Sequence, residues 1–271
     1  MGTPDGRGRA AAVAARRLLL AIAGLAAVQA GPGVTAIGPV RRALLPRLSG
    51  SGSADHIALT FDDGPDPEWT PRFLDLLAAR QVRATFFLLG SMAARAPGLA
   101  AQIAEAGHEI GVHGWDHRYL PLRGPRDTYD DLRRARDTIA IVTGAAPRLF
   151  RPPYGVLSGC GLVAARRLRL TPVLWGCWGR EWTAGSTPES VQATIGRNLA
   201  GGATVLLHDS DCTSPPGSAL AALGAVPGLL DECSRRELRV GTVGEHGTAW
   251  ALPDSVTRYA GDPRPPFRQA R

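Results

Sequence analysis

The sequence predicts an α/β domain in which parallel strands are joined by crossover helices, as in a barrel or a doubly wound sheet. Three observations predict it. Short apolar runs alternate with stretches of helical spacing from Ile57 to Val243. Polar residues capable of chemistry fall at the ends of those runs, where parallel α/β folds build their sites. The chain has 271 residues, 44% of them hydrophobic, which suits one packed domain. No repeat of roughly 20 to 50 residues runs along it, which excludes a solenoid.

Residues 1–30 read as a signal peptide or an N-terminal anchor. Arg7, Arg9, Arg16 and Arg17 precede an apolar run from Leu18 to Val28, and Val28-Gln29-Ala30 offers small residues where a signal peptidase cuts. Export is favoured over a retained anchor, because the run is short for a spanning helix unless Gly31 to Val40 extends it past Pro32 and Pro39. The expected location is secreted or cell-surface. Residues 31–54 read as a linker, closing in the Gly and Ser stretch Ser49 to Ser53, and 55–245 as the folded domain.

Ile57 to Phe61 is a short apolar strand running into the turn Asp62-Asp63-Gly64-Pro65. Trp69 to Ala79 sets Phe73, Leu76 and Leu77 on one helical face, with Pro71 suited to a first turn. Ala84 to Leu89 is a second buried strand, Leu99 to Ala106 a helix stopped by Gly107, and Glu109 to His113 a third strand. Arg126 to Thr143 is a long amphipathic helix ending at Gly144. Leu149 to Arg151, Thr171 to Trp175 and Thr204 to Leu207 supply further strands, and Gly161 to Arg167, Pro188 to Leu199 and Ser218 to Arg236 supply helices. Leu238 to Val243 closes the series, and 246–271, rich in Pro and Arg, reads as a loosely structured tail.

The formal charge of +7 invites a nucleic-acid role, but its distribution argues against one. Every basic residue is Arg; residues 1–50 hold seven of them against one Asp, and residues 252–271 hold four against two. The stretch between is close to neutral. A nucleic-acid-binding body needs its positive charge positioned on the fold, so no nucleic-acid partner is expected. Cys160, Cys177, Cys212 and Cys233 form no C-x-x-C pair, and disulfides and free thiols remain equally open.

Asp62 and Asp63 follow the first strand, and on extended backbone they would point different ways, one to a metal and one to substrate. His113 and His117 are four apart, which places both imidazoles on one face if the segment makes a helical turn. A carboxylate with two His is a familiar open metal site. His208 ends the Thr204 to Leu207 strand and is the side chain best suited to proton transfer near neutral pH. Arg151-Pro152-Pro153-Tyr154-Gly155 has a stiff backbone able to fix an Arg and a backbone N–H in space.

Thr60-Phe-Asp62-Asp63-Gly-Pro65, His113-x-x-x-His117, Arg151-Pro-Pro-Tyr154-Gly, the Trp-rich strand end and Leu206-Leu-His208 together resemble the polysaccharide deacetylase family, also called the NodB-homology domain. The resemblance spans roughly Ile57 to Val243. It implies a distorted (β/α) barrel of about seven parallel strands with outer helices, and one divalent metal: zinc first, cobalt or nickel as alternatives. By position it implies Asp63, His113 and His117 as metal ligands, Asp62 as general base and His208 as general acid. Tyr154 would offer its backbone N–H to the oxyanion, and Leu206 and Trp182 would wall the acetyl pocket. Arg151, with Arg83 as a second candidate, would hold the base.

Three positions depart from the family pattern. Gly114 stands where Ser or Thr is common, so the metal loop is either softer or braced by Trp115 and Asp116. Glu181 stands before Trp182 where an Asp usually tunes the catalytic His, and Trp178 replaces an earlier Asp. Cys177 and Trp178 make that rim apolar, which favours a smaller or lipid-linked substrate over an extended polysaccharide. The expected activity is removal of acetyl from an N-acetylated sugar within peptidoglycan, a chito-oligosaccharide or a glycosylated metabolite, by a monomer. An O-acetyl carbohydrate esterase and an inactive carbohydrate-binding protein are the alternatives, and a membrane would enter only through an N-terminal anchor.

Overall fold

The computed structural model describes residues 5–247, with side chains from residue 16 onward. The tail expected over 246–271 falls almost wholly outside the described residues. Helix α1 (Asp5–Ala30) leads into a 3-10 turn (Gly31–Ala36) and helix α2 (Gly38–Leu44). Strand β1 (His56–Asp62) follows, then α3 (Thr70–Ala79), β2 (Thr85–Leu88), α4 (Gly90–Arg95), α5 (Pro97–Glu105) and β3 (Glu109–Val112). The second half runs α6 (Pro125–Thr143), β4 (Leu149–Phe150), α7 (Gly159–Arg167), β5 (Thr171–Pro172), β6 (Cys177–Trp178), α8 (Pro188–Gly196), β7 (Thr204–His208), α9 (Ser218–Arg235) and β8 (Arg239–Gly241).

Seven strands lie side by side in the order β5-β4-β3-β2-β1-β7-β6, and β8 pairs with the N-terminal half of β1. Every pairing is parallel, so the sheet curls into a half-barrel with helices around it. All seven residues of β1 are buried, as a strand covered on both faces requires. Phe61, Phe73 and Phe86 meet with ring centroids 4.9 and 5.0 Å apart and fill the layer between β1, β2 and α3. In register, Asp62 lies opposite Phe87 on one side and His208 on the other.

Strand pairing does not close the barrel. The strand expected over Thr171 to Trp175 stays with β4 only to Val173, whose N–H reaches Phe150 O. The chain then crosses the gap between the two sheet edges, donating from Leu174 N–H to Leu48 O and from Gly176 N–H to Thr204 O, before it joins β7. Pairing with a different neighbour is what breaks one apolar run into two short strands.

The gap is filled by the segment expected to be a linker. Ser49 is fully buried, Gly50 O accepts the Thr204 hydroxyl at 2.7 Å, and Arg41, 3% exposed, donates to Thr35 O and Trp175 O. Thr35, Arg41, Ser49 and Gly50 within this segment are buried against the body, while most of the remaining residues of 31–54 are exposed. The helix expected over Leu99 to Ala106 begins at Pro97 and is preceded by α4, which its run of small residues hides from periodicity. All four cysteines are free thiols.

Candidate active site

The C-terminal ends of β1, β3, β4 and β7 bring the singled-out residues together in one cleft. Asp62 is the last residue of β1 and is 2% exposed. Asp63 next to it turns into the left-handed region, φ 80°. The pair is therefore not extended, and both carboxylates converge on one imidazole: His113 Nε2 lies 3.7 Å from Asp62 Oδ2 and 3.4 Å from Asp63 Oδ1.

His113 and His117 do not share a helical turn. The segment bends with left-handed φ at Gly114 (90°) and His117 (60°), and this brings the two rings to a centroid distance of 5.1 Å. Gly114 supplies the first of those angles at no steric cost, which accounts for a residue without a side chain there. The bracing comes from α6: Asp131, 8% exposed, accepts the Trp115 N–H at 2.9 Å and the Arg123 guanidinium at 2.7 Å. Asp116 instead pairs with Arg118.

His117 Nε2 is 3.7 Å from Asp63 Oδ1, and one ligand atom from each of Asp63, His113 and His117 lies within 4.8 Å of the others. Two features fit this trio to a divalent cation. Asp63 Oδ1 is buried and has no hydrogen-bond partner, a costly arrangement that a cation would relieve. His113 Nδ1 lies 2.8 Å from Arg151 O; donation of its N–H there leaves the Nε2 lone pair facing the trio. Burial also pushes the His113 pKa down to about 3 and lowers that of His117, so both stay neutral, as ligands must. The second oxygen of Asp63 accepts the Thr213 hydroxyl.

Beside the trio stand a carboxylate and an imidazole, Asp62 and His208, each held by a charged partner. Arg151, fully buried, donates from Nη1 to Asp62 Oδ1 and to Thr60 Oγ1, each at 2.7 Å, and from Nη2 to Leu174 O at 3.1 Å. Its guanidinium stacks 4.0 Å from the Phe87 ring centroid. Burial raises the Asp62 pKa, and Arg151 opposes that. Arg83 takes no part: it sits before β2, at the opposite end of the strand, and pairs with Glu245.

His208 Nδ1 lies 2.7 Å from Glu181 Oε1. Burial would lower the His208 pKa, but the hydrogen bond and charge of Glu181, with Asp63 and Asp62, outweigh it and raise the value to about 9. The longer carboxylate reaches because Gly179 makes room: a Cβ there would stand 2.7 Å from Glu181 Oε2.

Aromatic rings border the cluster on both sides. Trp182 packs edge-on against His208, 5.3 Å between centroids, and continues to Trp178 at 5.7 Å. Across the cleft the His117 ring meets Tyr154 at 4.4 Å, and Tyr154 meets Tyr119 at 5.8 Å. Tyr154 has φ 59° in a 3-10 turn over Pro153–Gly155, where the first N–H groups find no partner within the turn. Leu206 lies 2% exposed in β7, in register with Trp178.

A family model described as polysaccharide deacetylase matches residues 49–173. A peptidoglycan-N-acetylglucosamine deacetylase of Bacillus cereus is 35% identical over 192 residues, covering 70% of this chain and 86% of that protein. The chain belongs to the polysaccharide deacetylase family. A crystal structure of a peptidoglycan N-acetylglucosamine deacetylase aligns with a TM-score of 0.67 at 29% identity, over 73% of this chain and 91% of that one. The family's peptidoglycan-N-acetylglucosamine deacetylase of Listeria monocytogenes is 34% identical over 168 residues, 61% of this chain. This chain spans only 34% of that relative's length.

Motif reading within the family misses Thr213 and Asp131. Both act through contacts that bridge long stretches of sequence, 150 residues from Asp63 to Thr213 and 16 from Trp115 to Asp131, and neither lies at a strand end. The Asp127-to-Asp131 register on a long amphipathic helix gave no sign that one of these carboxylates is buried.

Proposed function

We propose that this chain is a metal-dependent hydrolase that removes acetyl from an N-acetylated sugar and releases acetate, acting on peptidoglycan, a chito-oligosaccharide or a glycosylated metabolite. The observation that carries the reading is the unpartnered, buried Asp63 Oδ1 between two neutral imidazoles, flanked by one held carboxylate and one held imidazole. Asp63, His113 and His117 would hold the cation; zinc suits this nitrogen and oxygen set best, with cobalt and nickel as substitutes. A divalent cation in such a place polarises a carbonyl and acidifies water.

Each remaining role follows from what a side chain has left to offer. Asp62 has Oδ1 committed to Arg151, so Oδ2 is the oxygen free to take a proton from the attacking water. Tyr154 offers its backbone N–H to the oxyanion that develops on the acetyl oxygen. His208 has Nδ1 committed to Glu181, which leaves Nε2 to protonate the departing amine. Trp182 and Leu206 close around the acetyl methyl. Helix α1 supports action outside the cytoplasm.

Acetate release by metal-loaded protein, across a panel of N-acetylated and O-acetylated glycans with a chelated control, tests this. Release from N-acetyl substrates that is lost on chelation and restored by zinc is expected. Release from O-acetyl substrates alone would make the chain an esterase, and metal binding without turnover would make it a carbohydrate-binding protein.

A further inference from the structure

Helix α1 does not end free of the domain. Among its described side chains Gln29 is the only one not exposed, and it is clamped at both ends of its carboxamide. Gln29 Nε2 donates toward Arg123 O (3.1 Å), Pro121 O (3.2 Å) and Leu120 O (3.5 Å), and Gln29 Oε1 accepts the Cys160 N–H at 3.0 Å. Those partners flank the cleft: Leu120 is three residues past His117, and Cys160 is six past Tyr154. Just beyond the clamp, Arg41 and Ser49 are built into the barrel gap. Cutting after Ala30 would sever the clamp from the body it holds.

The exposed part of the helix asks for a bilayer. Leu18, Leu19, Leu20, Ile22, Leu25 and Val28 are 54–71% exposed on all sides of the helix, an arrangement water penalises and hydrocarbon does not. The apolar stretch Arg16–Ala36 is 21 residues with mean hydropathy 1.7, the length that crosses a hydrocarbon layer of about 30 Å. Its last part, Gly31–Ala36, is already packed on the body, where Thr35 is buried. The fifteen residues from Arg16 to Ala30 that precede it are roughly 22 Å long at about 1.5 Å each, so they cross only where the layer thins or the entry segment of the body dips into it, and either draws the body down to the bilayer surface. Leu122, 86% exposed, stands on the same turn that receives Gln29, three residues after Tyr119, whose ring meets Tyr154.

We propose that α1 is retained as a membrane anchor, and that its Gln29 clamp holds the cleft against the bilayer so that the enzyme acts on an N-acetylated sugar carried by a membrane lipid. This rests on the deacetylase reading above. An anchored site meets a lipid-borne sugar at a high effective concentration, whereas a sugar in solution gains nothing from the anchor.

The test uses the full chain. Protein from the membrane fraction of expressing cells resists carbonate extraction and has an intact mass that includes residues 16–30; a soluble product beginning at Gly31 overturns the anchor. Zinc-loaded full chain, reconstituted in vesicles of phosphatidylethanolamine and phosphatidylglycerol, releases acetate from hexadecyl N-acetylglucosaminide at least about tenfold faster than from the methyl glycoside at equal bulk concentration. Gln29→Ala reduces that preference several-fold and leaves turnover of the methyl glycoside unchanged. Equal rates on the two glycosides, or a preference that Gln29→Ala leaves intact, overturn the inference while the deacetylase reading stands. Hydrolysis of neither overturns both.

Discussion

Glu181 and His208 show how one methylene is accommodated at the level of single atoms. The carboxylate takes His208 Nδ1 at 2.7 Å, and the histidine is raised to about 9 because that contact outweighs burial. A group raised in this way stays protonated through neutral pH and loses its proton as pH climbs through the raised value. With His208 as the acid, the alkaline limb of activity follows this raised value, to which Glu181 contributes most. Glu181→Gln keeps the shape but removes the charge, so the limb moves down toward the ordinary histidine value of about 6.5. Turnover at pH 8 falls about 10- to 100-fold. A pH-rate profile checks both, and a limb that stays in place would detach Glu181 from His208. The residues that meet in the cleft were legible in the sequence where they lie at or just past a strand end, as Asp62, Asp63, His113, Arg151 and His208 do, and His117 through its spacing from His113. Glu181 was legible as a departure, but its fit was not, because that depends on the space left at Gly179.

At the scale of elements, the loop that carries His113 and His117 is braced by a helix that contributes no residue to the trio. Asp131 on α6 reaches across to the Trp115 N–H and so fixes the bend between the two histidines. Asp131→Ala removes that acceptor and frees Arg123, and the bend gains alternatives to the ligating one. Zinc affinity should fall about 10- to 100-fold, read by competition with a chromophoric chelator. Unchanged affinity would mean that the left-handed angles at Gly114 and His117 hold the loop unaided. The strands themselves were legible because each is an apolar run with a polar stop. What sequence spacing could not give is partner exchange: Thr171 to Trp175 is one apolar run, yet its two ends face different neighbours. The same blindness applies to Arg41 and Leu48 to Gly50, which lie in a stretch whose Gly, Pro and Ser content suits a linker and which reach into the barrel gap.

Over the whole molecule, the cleft at one end of the barrel is balanced by a cluster of buried histidines at the other, where β1 and β8 begin. His56 Nδ1 lies 2.9 Å from His246 Nδ1, and the two rings are 1% and 0% exposed. One ring must donate and the other accept, so the contact needs at least one neutral imidazole. His108 accepts the Ala84 N–H at Nδ1 at 3.1 Å and must also be neutral there. Burial pushes His246 and His108 down to about 4, and lowers His56 as well. For a histidine depressed on folding, the unfolded chain binds the proton first. Its contribution to stability is therefore intact above about pH 6.5 and is lost progressively as pH falls toward 4, on the order of 2 kcal/mol per buried ring. Asp209 works the other way: burial raises it to about 7, so its protonation favours the folded state over part of the same range. The net slope mixes the two, and the difference between variants separates them. In urea melts between pH 7.5 and 4, His246→Gln should be less stable than the parent at pH 7.5, and its midpoint should fall less steeply with acid, so that the two curves converge near pH 4. Parallel curves over that range would mean that the pair at the foot of the barrel already carries a proton in the native state.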